Sequence, residues 1–190
     1  MNPEHHISFR WSVLLQMLEQ GATGDPGSPV GEELRDFASF FDDEYRRLFH
    51  AMVLVCGDRA EAEDVAQEAF VKILERWESV RSMESPTAYV YRTALNEWRS
   101  RLRRILRRGR RSLFVRGGVD DTAEHAIARA EVNRGLRTPT IDQRAALVLV
   151  EFVGMSSQEA GESLGVEATA VRARVHRARE SLREEWSEDA

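Results

Sequence analysis

Three groups of side chains in this sequence have the types and spacing to do chemistry. Residues 99–118 hold nine arginines and no acid, and the planar guanidinium fork suits phosphate oxygens and base edges. Just upstream, Trp77, Tyr89, Tyr91 and Trp98 lie close to Arg92, Asn96 and Arg99. Rings beside guanidinium groups are the ingredients for holding unstacked bases, each stack contributing roughly 1–3 kcal/mol. Near the end of the chain, Arg172, Arg174, His176, Arg177 and Arg179 alternate with an apolar stripe of Val171, Val175, Ala178 and Leu182. Each group also has a plainer reading. The arginine block fits a solvated linker, the rings fit a helical core, and the last set fits a hairpin with a charged outer face.

The shared chemistry is recognition of a polyanion, and nothing comparable points to catalysis. His5, His6, His50, His125 and His176 are scattered and there is no P-loop. Cys56 is the single cysteine and sits in the apolar run AMVLVC, where a buried structural thiol is expected. Without a C-x-x-C pair for zinc, or a Glu-x-x-His in the acidic block for a di-metal site, no metal or cofactor is expected, and the chain does not read as an enzyme. A lone cysteine fits a reducing, cytoplasmic setting. No apolar run approaches the length of a membrane span, and Met1 to Gln20 lacks the basic start and cleavage site of a secretory signal. The formal net charge of −5 hides a sharp local contrast, because residues 31–98 carry −7 and the arginine block +9. Lys72 is the sole lysine; the skew towards arginine suits phosphate binding, and codon bias would also produce it.

The elements that must position these groups read as helices throughout. Residues 1–31 form an extension: 7–20 place Ile7, Trp11, Leu14, Leu15 and Leu18 on one helical face, and GATGDPGSPVG follows as a linker. The pattern predicts a first helical domain over 32–108, broken at Cys56-Gly57-Asp58 and at Ser82–Pro86. A join over 109–121 turns from basic to acidic. A second helical domain is predicted over 122–186, punctuated by Thr138-Pro139-Thr140, Gly154 and Gly165. No strand-like alternation is long enough to compete, so the fold class is all-α with two small domains. Within the second domain, residues 143–153 form an apolar helix ending at Gly154. Ser156 and Glu159 have capping-box spacing, a short helix stops at Gly165, and a longer one runs from about Glu167 to Glu185. That is the layout of a helix-turn-helix, whose second helix enters the DNA major groove.

Two stretches also resemble one known family. AEAEDVAQEAFVKILERW (60–77) with SPTAYVYRTALNEWRSRLRR (85–104) is similar to region two of the bacterial extracytoplasmic-function (ECF) sigma factors, group 4 of the sigma-70 family. QRAALVLVEFVGMSSQEAGESLGVEATAVRARVHRARESLR (143–183) resembles their region four. The resemblance implies a non-catalytic subunit that binds the RNA polymerase core through its beta and beta-prime subunits, directs promoter recognition and strand opening, and is held by an anti-sigma factor. Glu63, Asp64, Gln67, Glu68 and Phe70 match the segment that docks on the polymerase clamp helices. Arg92, Asn96, Trp98, Arg99 and Arg103 fall on the helix that reads the downstream promoter element, with Arg104 extending its basic face. The loop Glu78–Ser85 falls where the family holds a flipped base. Thr169, Arg172, Arg174, His176 and Arg177 fall on the helix for the upstream element. The alternative is a stand-alone helix-turn-helix regulator of duplex DNA; the aromatic–Asn–Arg set at 89–99 argues against it, because such a regulator needs no single-strand site.

The sequence departs from the family at several places. Ala160-Gly161 stands where an Ile-Ala pair is usual, which predicts a loosely packed region four: losing a buried Ile-sized group removes about 2–5 kcal/mol, and a helical Gly up to about 1 kcal/mol more. Thr169-Ala170 and Arg172-Ala173 replace a common Gly-Thr and Lys-Ser and alter the expected promoter preference. The arginine block could neutralise several phosphates, each adding roughly −0.9 to the salt slope of binding; a plain tether fits equally. Helix 7–20 reads as a docking or regulatory element, the alternative being that translation starts downstream, for example at Met17.

Overall fold

The computed structural model describes residues 29–107 and 138–188, together with Gln16 and Leu136. The expected helix 7–20, most of the Gly/Pro stretch after it, the join 109–121 and the opening of the second helical block lie outside these residues. Among the described residues every regular element is a helix.

Helix α1 spans Pro29–Cys56, so it begins inside the stretch read as linker; proline's fixed φ suits a first helical turn. It stops at Gly57, whose φ of +74° is the left-handed cap that only glycine adopts freely. Asp58 then caps α2, Arg59–Leu74, by accepting a hydrogen bond from the Glu61 amide at 2.9 Å. A break at Glu75–Arg76, unmarked by Gly or Pro, leads to the short α3, Trp77–Arg81. Helix α4 covers Pro86–Arg107, and the Ser85 hydroxyl accepts from the Ala88 amide at its start. These four helices close over an aromatic core. Phe37 meets Trp77 edge-on at 5.3 Å, and Phe41 meets Phe70 edge-on at 5.0 Å, geometries that ring quadrupoles favour. Full burial of Phe37 and Phe70 stabilises by roughly 1.5–3 kcal/mol each.

In the second unit, Thr140 and Gln143 form a capping box that starts α5, Ile141–Leu147. The chain then widens into a π-helical turn, Val148–Phe152, and turns at Gly154 with φ +78°. Ser156 and Glu159 make the expected reciprocal cap at the head of α6, Ser157–Leu164, which ends at left-handed Gly165. Helix α7 runs Ala168–Glu188. The anticipated loose packing at Ala160-Gly161 is not what the structure shows. Ala160 is fully buried, and a Cβ on Gly161 would lie 2.6 Å from the Val166 carbonyl oxygen. The missing side chain is what lets the turn close, and the Val166 amide donates back to the Gly161 carbonyl at 2.9 Å.

The two units pack against each other, α6 along α4 and α1 against α5 and the π-helical turn. Each lends an arginine to the other's helix end. Arg144 of α5 donates to the Val55 carbonyl at 3.1 Å, near the end of α1. Arg47 of α1 donates to the Val153 carbonyl that follows the π-helical turn. Carbonyls at helix C-termini lack intrahelical partners and sit at the negative end of the helix dipole, so a guanidinium satisfies both needs.

Candidate nucleic-acid interface

Helix α7 sorts its residues by periodicity. Val171, Val175 and Ala178 are buried, which turns Thr169, Arg172, His176, Arg177 and Arg179 outward, all exposed. His176 Nδ1 lies 3.2 Å from Glu180 one turn on, and Arg179 pairs with Glu151. Arg174 differs from its neighbours: its side chain is only 23% exposed and lies 3.8 Å from Asp142.

Helix α4 is divided in the same way. Ala88, Tyr91, Ala94, Leu95 and Trp98 form its buried stripe, while Arg92, Asn96, Arg99 and Arg103, at spacings of four, three and four, share the opposite face. Arg99 reaches Asn96 Oδ1 at 3.5 Å and Asp142 Oδ1 at 3.0 Å. This division corrects the reading of the rings as a base-stacking platform. Trp77, Tyr91 and Trp98 are core residues, exposed by 4%, 0% and 3%; burial pushes the Tyr91 hydroxyl far above its ordinary range, with Glu44 adding to the effect. Tyr89 alone is half-buried. Helical spacing made the rings neighbours, but on the inward side. Trp98 therefore packs under the proposed reading face and does not lie on it.

The acidic face of α2 is also partly internal. Glu63 is exposed, Asp64, Gln67 and Glu68 are half-buried, and Phe70 is wholly buried in the aromatic core, which gives it a packing role here in place of the expected surface contact. Gln67 Nε2 donates to Glu63 at 3.3 Å. Arg101, 12% exposed, reaches Asp64 at 3.2 Å, Glu61 at 3.7 Å and Glu97 at 3.4 Å. Burial raises the Glu61 carboxyl above its usual range, with Arg101 opposing. Lys72 bridges Glu97 at 2.7 Å and Glu68 at 3.4 Å. Burial alone would raise Glu97 too, but Lys72 and Arg101 outweigh it and hold that carboxyl below the ordinary glutamate range.

Arg101, Glu97, Lys72, Asp142, Arg47 and Arg144 went unread in the sequence as a positioning network. A partial signal existed: Glu97 is the acid adjoining the arginine block, and Arg144 interrupts an apolar helix. Among the described residues no cluster of His, Cys, Asp and Glu is arranged for a metal ion. Cys56 is buried, and burial pushes its thiol well up, which disfavours the reactive thiolate. No described helix is long and apolar enough to cross a membrane.

Comparison with known proteins bears directly on these two faces. Residues 40–108 match the family model for sigma-70 region 2, and residues 140–182 the model for sigma-70 region 4. The RNA polymerase sigma-E factor of Streptomyces avermitilis is 28% identical over 157 residues, covering 80% of this chain and 86% of the relative. The RNA polymerase sigma-H factor of Pseudomonas aeruginosa is 31% identical over 154 residues, 72% of this chain and 78% of the relative. In fold, the chain is similar to the sigma factor RpoE of Bartonella quintana, solved with the anti-sigma factor NepR. That likeness has a TM-score of 0.70 at 22% identity and covers 82% of this chain and 99% of that one. It is also similar to CnrH, solved with the cytosolic domain of CnrY, with a TM-score of 0.65 at 24% identity, covering 92% and 97%. With region two and region four both matched, in order, on the helices that carry the exposed arginines, this chain belongs to the ECF sigma factors of the sigma-70 family.

Proposed function

We propose that this chain is the promoter-specificity subunit of a bacterial RNA polymerase, acting in the cytoplasm, and that its two helical units divide the work. The outward edge of α2, Glu63 with Asp64, Gln67 and Glu68, docks on the core enzyme. The face of α4 formed by Arg92, Asn96, Arg99 and Arg103 acts at the downstream element as the duplex opens. Thr169, Arg172, Arg174, His176 and Arg177 of α7 read the upstream element in the major groove, where a bidentate arginine–guanine contact is worth about 1–3 kcal/mol of discrimination.

The observation that carries this reading is the single face shared by Arg92, Asn96, Arg99 and Arg103 on α4, separate from the helix-turn-helix. A stand-alone regulator uses only the second of these. Strand opening without ATP needs binding energy spent on the opened strand, and such a face supplies it by charge and base-edge contacts. One structure similar to this fold, RpoE of Bartonella quintana, holds an anti-sigma factor, and we propose a partner of that kind for this chain. The proposal as a whole is tested by mixing the purified chain with core polymerase and assaying run-off transcription. Initiation that depends on both, and fails without the chain, is the expected result. Duplex binding by the chain with no effect on core enzyme would favour the regulator.

A further inference from the structure

Glu97 follows Asn96 on α4, but its side chain meets α2 and is only 14% exposed. It gathers cations from both helices. Oε2 is 2.7 Å from Lys72 of α2, while Oε1 is 3.4 Å from Arg101 and 3.5 Å from Arg104 of α4. Two of these cations reach onward to acids of the proposed docking edge: Lys72 to Glu68 at 3.4 Å, and Arg101 to Asp64 at 3.2 Å. Asp64, Arg101, Glu97, Lys72 and Glu68 therefore form an unbroken alternation of charge with Glu97 at its centre. Against the effect of its own burial, Lys72 and Arg101 hold the Glu97 carboxyl below the ordinary glutamate range, so it is ionised at neutral pH.

Exposure separates the roles. The Asp64 side chain is 47% exposed and Glu63 is open to solvent, whereas Arg101 and Glu97 lie mostly covered. Four carboxylates, Glu61, Asp64, Glu68 and Glu97, share Lys72, Arg101 and Arg104. The cluster thus keeps a net negative charge that complements a basic partner. Neutralising Glu97 would cancel that charge and leave Lys72 and Arg101 with only the acids of α2 to pair with.

We propose that Glu97 is the positioning residue of the core-docking edge: by sharing Arg101 and Lys72, it fixes Asp64 and Glu68 in place and keeps their charge available to a basic surface of the core enzyme. The inference rests on the proposed docking role of α2. Glu97 acts through side chains that meet the partner and does not meet it itself.

The test measures the affinity of the full chain for core polymerase in four forms: the parent, Glu97→Gln, Asp64→Asn with Glu68→Gln, and all three substitutions together. Each form is first confirmed as folded by circular dichroism, and binding is measured at low ionic strength, where weakened complexes still form. Glu97→Gln is expected to weaken core binding about tenfold in the parent and to have almost no effect once Asp64 and Glu68 are already neutral, as coupled residues do. A purely structural role would weaken both backgrounds alike, and that result would overturn the proposal, as would unchanged core affinity of Glu97→Gln alone. The failure of the docking reading looks different. If neutral Asp64 and Glu68 leave core affinity at the parent's value, the edge is not the docking site and the role of Glu97 falls with it.

Discussion

Arg101 Nη1 lies 3.2 Å from Asp64 Oδ2, joining α4 to α2 across 37 residues of sequence. Arg101 of the basic block and the acidic face proposed for polymerase docking are therefore partners inside one unit. The face cannot be altered at Asp64 or Glu68 without touching this network.

Glu63 is the cleaner probe, being exposed. Glu63→Arg is expected to abolish co-purification with core polymerase while leaving the thermal midpoint of the free chain nearly unchanged, since exposed pairs contribute only about 0–1 kcal/mol. Asp64→Arg and Glu68→Arg are expected to lose core binding as well, and also to lower the midpoint by placing like charges against Arg101 and Lys72. Full retention of core enzyme by all three variants would remove the docking assignment.

Asn96 and Trp98 are expected to fail differently. Asn96→Ala keeps the fold and duplex binding but reduces strand opening, visible as weaker permanganate reactivity at the downstream element. Trp98→Ala empties a core position and is expected to destabilise the free chain by about 3–5 kcal/mol, measured by urea unfolding. A stable Trp98→Ala chain with an opening defect alone would return that ring to the interface.

Gly161→Ala tests the close approach of the helix-turn-helix turn. A methyl group there meets the Val166 carbonyl oxygen at 2.6 Å, and a backbone atom has little room to give. The substitution is expected to destabilise by roughly 1–3 kcal/mol. Unfolding at the parent's urea midpoint would show that the turn has slack.

Acid sensitivity should trace in part to Glu97, whose carboxyl is held low by Lys72 and Arg101 against its burial. A lowered folded-state value means its stabilisation is present above the ordinary glutamate range and is lost as pH falls through the lowered value. The difference in thermal midpoint between the parent and Glu97→Gln is therefore expected to be greatest near neutrality and to close on acidification. A gap that stays constant down the acid limb would contradict the network.

Local chemistry is legible in the sequence; distant pairing is not. Gly154, the Ser156–Glu159 box and Gly165 each act within a few residues, so residue types and short spacings suffice to place the helix-turn-helix. The break at Glu75–Arg76 and the π-helical turn carry no Gly or Pro signal, and α1 begins at Pro29 because proline suits a first turn as well as a linker. The rings are misplaced by spacing alone, because helical periodicity sets which residues share a face without saying which face is inside. The contact of Arg144 with Val55 spans 89 residues, beyond the reach of any periodicity.

This chain gives core polymerase its choice of promoter. The most direct measurement maps transcript starts from a randomised promoter library transcribed by core polymerase with and without the chain. The expected starts appear only with the chain and share a two-part element, its upstream half altered by Arg172→Ala and its downstream half made ineffective by Asn96→Ala. A start-site profile identical to that of core polymerase alone would contradict the claim.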